Sequence, residues 1–290
     1  MLFRSKARIS LGVALPQRRP GPANPPSLVQ QVARRAEALG FRDLWVTENT
    51  LDKVASPEAL TLLTYAGAVT STIRLGVAVV VLPVHHPAHV AHLYGSLDYV
   101  TGGRAILGVG LGRADHYANF QVPREHRVTR FNEAVALIKA LWTQPRVDFD
   151  GKVFQLHGAP MEPKPVQQPH PPIWYGGGHP DAIRRTARDA DGWMASGNTT
   201  IQAFGDQVVA LRRALEAEGR DPAAFPISKR VFIAVHPNGA VAGEELHHWL
   251  GEVYGNPNLA DTAGVWGTPD QVREQLERLA DLGEIGRAHV

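Results

Sequence analysis

The chain has no cysteine in its 290 residues. That excludes disulfides, thiolate nucleophiles and cysteine-ligated zinc or iron–sulfur centres. It also has no apolar stretch of the roughly 20 residues that a bilayer-spanning helix needs. The start, MLFRSKARIS, is positively charged but lacks the apolar segment and cleavage site of a secretory signal. A cytoplasmic location is expected. There is no basic run of five or six residues, and the formal net charge is only +2. Neither nucleic acid nor a membrane is an expected partner. What is present, 44% hydrophobic and 20% charged residues, is the composition of a soluble globular enzyme, and a small-molecule substrate is the expected partner.

The segment from Arg74 to Gly112 is the most informative. An apolar run, Leu75 to Leu82, is followed by Pro83 and a His-His-Pro step. A helical segment from Pro87 leads to Val100, and a turn at Thr101-Gly102-Gly103 enters a second apolar run, Ala105 to Val109. Such continuous runs predict parallel strands buried on both faces. The same beat recurs along the chain. Further strands are predicted at Ile9–Leu15, Asp43–Thr47, Ile173–Tyr175, Gly192–Ala195 and Ser228–Val235. Helices are predicted from Ser27 to Leu39, from a Ser56-Pro57-Glu58 start, and over Thr129–Thr143, Asp181–Arg188, Ile201–Glu218, Gly243–Val253 and Pro269–Leu282. Gln144 to Pro171 breaks the beat with a hairpin turn at Asp150-Gly151 and a proline-rich connection.

Seven alternating strands predict an α/β fold, a TIM-type (β/α)8 barrel truncated before its eighth strand, with an open doubly wound sheet as the alternative. The barrel domain is read over residues 1–283. The final heptapeptide, Glu284 to Val290, is neither an apolar run nor an alternating one. It translates back to a sequencing-adapter-like read, so 284–290 is expected to be a non-native tail.

Candidate sites lie at the carboxyl ends of strands, where such folds bind ligands. Gly176-Gly177-Gly178 follows a strand and precedes a helix, an arrangement that suits an anion or a mere flexible turn. Gly108-Val109-Gly110-Leu111-Gly112 fails the dinucleotide fingerprint, because Arg113 stands where its last glycine would be, and a polar loop rather than a helix is expected next. Room for a flat ring, or a plain turn, is the reading there. Glu48-Asn49 ends strand two, where a carboxylate can move a proton, bind a ring edge or simply form a cap or ion pair. Arg113, Asp115 and His116 share that rim. His85, His86, His89 and His92 have near-helical spacing, but Pro87 separates the first two and no carboxylate lies among them, so no metal site is expected.

RLGVAVVVLPVHHPAHVAH, LDYVTGGRAILGVGLG, PVQQPHPPIWYGGGHPDAIRRTARDADGW and GTPDQVREQL, in that order, resemble the bacterial-luciferase-like flavin and deazaflavin oxidoreductases over about residues 9–283. The resemblance implies an eight-stranded α/β barrel with coenzyme F-420 or FMN in its mouth. It implies a bulge in strand three at Ala78 and Val79, often with a non-proline cis peptide, behind the redox ring. It places the phosphate tail near Gly176, Gly177 and Gly178, and ring contacts at Glu48, Asn49 and His116. Glu48 and Arg113 are the candidate catalytic residues, and Arg113 and His116 the candidate polar contacts.

The sugar-phosphate dehydrogenases of that family carry an acid where this chain has Arg113 and a His where it has Asn49, so the resemblance does not extend to that activity. Luciferase carries the same His. The expected reaction is hydride transfer between F-420 and a small organic substrate. The alternatives are an FMN-dependent monooxygenase, and a non-catalytic flavin-binding protein or inactive barrel fragment. A homodimer is expected. Substrate determinants are expected in the loops after strands one, four and six and in the Gln144–Pro171 excursion.

Overall fold

The computed structural model describes residues 10–283 and, for 287–289, the backbone. The barrel strands are β1 (Ser10–Ala14), β2 (Asp43–Val46), β3 (Arg74–Val81) and β4 (Ala105–Gly110). A peripheral hairpin, β5 (Val147–Asp150) and β6 (Gln155–Ala159), precedes barrel strands β7 (Ile173–Gly176), β8 (Gly192–Ala195) and β9 (Ile227–Arg230). Helices α1 (Pro26–Ala38), α2 (Ala59–Gly67), α3 (Pro87–Thr101), α4 (Ala114–Asn119), α5 (Arg127–Thr143), α6 (Pro180–Asp189) and α7 (Ile201–Ala217) alternate with them. After β9 come β10 (Phe232–Val235), α8 (Gly239–Tyr254), α9 (Leu259–Ala263), β11 (Gly264–Gly267), α10 (Pro269–Gly283) and β12 (Arg287–His289). The barrel closes in the order β1-β12-β9-β8-β7-β4-β3-β2, all parallel.

The continuous apolar strands form because both faces are buried: β4 and β8 are buried at every residue. Outward-facing side chains meet the helices, while the barrel interior is filled by Trp45, Ile106, Trp174 and Met194, with Ala78 and Val79 packed against them. The Trp45 and Trp174 rings sit 5.8 Å apart and are tilted by 44°. Glycine makes room for them. A Cβ on Gly12 would come within 2.7 Å of Trp45 Nε1, and one on Gly192 equally close to the Trp174 ring. Gly76, in register with Trp45, is pressed against the same indole.

The amino-terminal face of the barrel is tied by buried charges whose partners are mostly backbone. Arg104 donates to the carbonyls of Gly67, Thr70, Ile73 and Thr101 and to the Thr70 hydroxyl, at 2.8–3.1 Å. The fully buried Asp98 accepts from the Ala105, Val166 and Gln167 amides and from the Gln167 side chain at 2.7–3.1 Å. It thereby holds the proline-rich connection against the barrel.

Several sequence expectations need correction. The missing eighth strand is one, because the backbone of Arg287–His289 fills that place, between β1 and β9. Two parallel edges offer unpaired amides and carbonyls there, and a backbone ladder needs no apolar pattern. Residues 284–286 and 290 lie outside the described residues, as does Ile9 of the expected first strand. The expected strand Ser228–Val235 divides at Val231: β9 stays in the barrel, and β10 leaves it to pair in parallel with β11. Helix α2 starts after Glu58, not Ser56, because the Glu58 carboxylate accepts from the Leu60 and Thr61 amides at 2.9 and 2.7 Å. Helix α1 begins at Pro26 with no side-chain cap from Ser27. A short helix, α4, stands where a polar loop was expected. Among the described residues, no helix is long and apolar enough to cross a membrane.

Candidate functional site

The carboxyl ends of the barrel strands open into a cleft of about 860 Å³. Its floor is the middle of β3. There the register with β4 slips between Val77 and Val80, and the Ala78–Val79 peptide is cis. Ala78, Val79 and Val81 give the cleft an apolar base, and Phe120 adds an aromatic wall. Glu48, Asn49, Arg113 and His116 line the same cleft. With Gly112 and Asp115, eight of the residues singled out in the sequence therefore meet around one hollow.

Glu48 is not a loose carboxylate. One oxygen accepts the Val81 amide at 2.7 Å and the other lies 2.6 Å from His85 Nε2. His85 was read as a loop histidine without a carboxylate. Its partner arrives from β2, thirty-seven residues away in sequence, so local spacing could not show it. With Nε2–H donated to Glu48, the neutral imidazole keeps Nδ1 as its basic atom. His86, by contrast, caps α3 through Nδ1 and packs edge-on against Phe154.

Asn49 donates its amide to the Thr47 hydroxyl and carbonyl. Buried Gln17 ties the ends of β1 and β2 together, donating to the Thr47 and Pro57 carbonyls and accepting the Thr47 amide, all at 2.8 Å. His116 Nδ1 accepts the Arg113 backbone amide at 2.9 Å. That leaves Nε2 as the donor of the neutral ring. The Arg113 side chain is 76% exposed and pairs with Asp115 at 2.8 Å. The bond to Asp115 pushes the guanidinium pKa up. Arg113 is thus a rim cation already partly neutralised by its neighbour.

Gly176, Gly177 and Gly178 are not among the residues lining this cleft. They are half-buried just beyond Val79, with Gly176 against the Val79 side chain and Gly178 against Gln207. The Gly177 carbonyl accepts the Trp193 indole N–H at 2.8 Å.

Sequence reasoning missed the opposite rim. Arg18 is bound by Asp52 at 2.6 and 2.9 Å and lies over the Tyr254 ring. Arg230 donates to the Tyr254 hydroxyl at 2.8 Å and stacks near Phe232. Lys229 is buried, and its ammonium donates to the carbonyls of Ser196, Gly197 and Arg230. Burial first, and then the Arg230 charge, push its pKa down to about 7. The signal was available: Lys229-Arg230 is a charged pair inside an apolar strand.

A second cavity of about 690 Å³ adjoins the cleft and shares Arg18, Thr47, Ala78, Arg230 and Phe232 with it. Neither cavity is lined by the Gln144–Pro171 excursion, where substrate determinants were expected. That segment is occupied by the β5–β6 hairpin, which Glu133 of α5 holds to the outside through the Lys152, Val153 and Phe154 amides.

The sequence profile of the family described as luciferase-like monooxygenase matches residues 9–284. An F-420-dependent glucose-6-phosphate dehydrogenase of Kineococcus radiotolerans is 31% identical over 235 residues, which cover 77% of this chain and 68% of that one. The structure of coenzyme F-420-dependent tetrahydromethanopterin reductase from Methanopyrus kandleri superposes with a TM-score of 0.83 at 19% identity, covering 98% of this chain and 93% of that one. The oxygenating constituent of 3,6-diketocamphane monooxygenase from Pseudomonas putida, solved with FMN, gives 0.78 at 17% identity, covering 97% and 91%. These two likenesses are of fold.

Proposed function

Because the chain belongs to the luciferase-like monooxygenase family, we propose that it is an oxidoreductase whose barrel-mouth cleft holds F-420 or FMN, and that with F-420 it moves hydride to or from a small organic substrate. The observation that carries this reading is the convergence of Glu48, Asn49, Arg113 and His116 around the apolar Ala78–Val79 floor. The residues fit such a group. A flat ring needs an apolar base with a few polar contacts at its edge, and an anionic tail needs cations at the rim. Val79 and Val81 supply the first, His116 Nε2 is available for the second, and Arg113 and Lys53 stand at the rim. The half-buried backbone of Gly176–Gly178, opening α6, is our assignment for the phosphate.

The bound ring supplies the redox chemistry. The protein's part is to bind, orient and exclude water. Glu48 holds the end of β3 through the Val81 amide and is itself paired with His85, so its carboxylate faces the cleft as a positioned acceptor. Asn49 is a neutral contact with no proton to give. Arg113, exposed and paired, acts as a binding contact rather than a proton donor.

Titration with F-420 and with FMN, followed by absorbance and by thermal melting, tests the reading. A ligand that binds only the folded chain must raise Tm. Incorporation of one atom of labelled oxygen into an added substrate in the presence of reduced FMN would favour the monooxygenase alternative. A folded chain that binds neither chromophore would remove the proposal.

A further inference from the structure

The second cavity is chemically unlike the cleft it joins. Its wall is mainly apolar and includes Leu15, Trp45, Ile233, Ala234, Leu246 and Trp249. The polar groups that also reach it are largely engaged elsewhere. Gln17 is bonded at both ends of its amide, Asn24 donates to the Pro16 carbonyl, Arg18 is bound by Asp52, and Arg230 is bound by Tyr254; the exposed Glu245 and His248, the latter 3.5 Å from Glu252, also line it. A phosphate or a polyhydroxylated sugar entering here would lose its water with few groups to replace it, which is costly. Hydrocarbon surface loses nothing by the same transfer and gains the usual burial energy. The cavity joins the cleft at the Ala78 floor, so a molecule held in it would lie beside a ring bound there.

Resting on the oxidoreductase reading, we propose that this cavity is the substrate lobe of the site and that it receives an uncharged, mainly hydrocarbon molecule whose reacting carbon points toward Ala78. Arg18 and Arg230 line both cavities and, with Tyr254 on the cleft side, form the boundary between the two lobes.

Octanol is a suitable probe, since Trp45 and Trp249 line the lobe and report occupancy by fluorescence. Saturable quenching by octanol is expected on the protein without added cofactor. Glucose 6-phosphate at up to about a hundredfold higher concentration should give none, an affinity gap of at least about 2.7 kcal/mol. Ala14→Phe, at an exposed end of β1 that lines the lobe, should weaken octanol at least about tenfold. Its melting curve shows that the variant folds. If it does not, the octanol and glucose 6-phosphate comparison on the unmodified chain decides alone. Glucose 6-phosphate binding as well as octanol, or octanol binding a folded Ala14→Phe unchanged, would overturn the proposal. Because the probe is read without cofactor, failure of F-420 and FMN to bind removes the oxidoreductase reading separately from the apolar lobe.

Discussion

The two ends of the barrel use the same polar residue types to opposite ends. At the amino-terminal face, Arg104, Asp98 and Glu37 spend their hydrogen bonds chiefly on backbone groups of neighbouring elements. Their surroundings leave nothing for a ligand. At the carboxyl-terminal mouth, Glu48, Arg18 and Arg230 have few partners and still face a hollow: Glu48 with Val81 and His85, Arg18 with Asp52, Arg230 with Tyr254. Saturated polar groups stabilise a barrel, while incompletely used ones around an apolar floor make a site.

Breaking this contrast should be most visible at Asp98 and Arg104. Asp98→Ala leaves the buried Ala105 amide and the less buried Val166 and Gln167 amides without their acceptor and takes one of two acceptors from the Gln167 carboxamide, and should cost about 3 kcal/mol in urea unfolding. Arg104→Met should cost about 3 kcal/mol for the carbonyls it abandons. At the mouth the effect moves from stability to binding. Glu48→Gln should change stability by less than about 1 kcal/mol yet weaken F-420 or FMN about tenfold, read by chromophore titration. A Glu48→Gln variant that destabilises as much as Asp98→Ala would erase the distinction.

The pH dependence sharpens it. Burial pushes the Glu37 carboxyl up, but the Thr72, Ile73 and Ser71 amides together with the Thr72 hydroxyl outweigh this and hold it at about 2, against 4.5 when free. Its stabilisation is therefore complete above pH 4.5 and lost as pH falls toward 2. Glu37→Gln should flatten Tm across that window. Lys229 shifts stability in the same direction but in a higher window, because burial disfavours its charged form. The unfolded chain binds its proton up to about 10.5 and the folded chain only to about 7, so stability should rise with pH between these values. Lys229→Met should abolish that rise. Smallest of all, Arg113→Ala removes an exposed pair and should leave Tm unchanged.

How legible this was in the sequence depends on the range of each interaction. Strands β3 and β4 were readable because both faces are buried, so their apolar runs are continuous. The Glu48-Asn49 step was readable as a cleft-lining position because strand ends in such folds point to one mouth, whereas Gly176–Gly178 fall outside the lining of that cleft. The Glu48–His85 pair and the Arg18–Tyr254–Arg230 boundary were not, because their members meet only after the barrel closes. The split of β9 from β10 was hidden by one uninterrupted run from Ser228 to Val235. Arg287–His289 escaped for a different reason: its place is set by two waiting strand edges, not by its own side chains.

The direct test of the central claim is a spectroscopic titration of the purified chain with F-420 and FMN, repeated on a variant whose Ala78 is replaced by Glu. Saturable binding of at least one chromophore, lost in the folded Ala78→Glu protein, is the expected result. Binding that survives a carboxylate in the floor, or no binding by a chain that melts cooperatively, would contradict it.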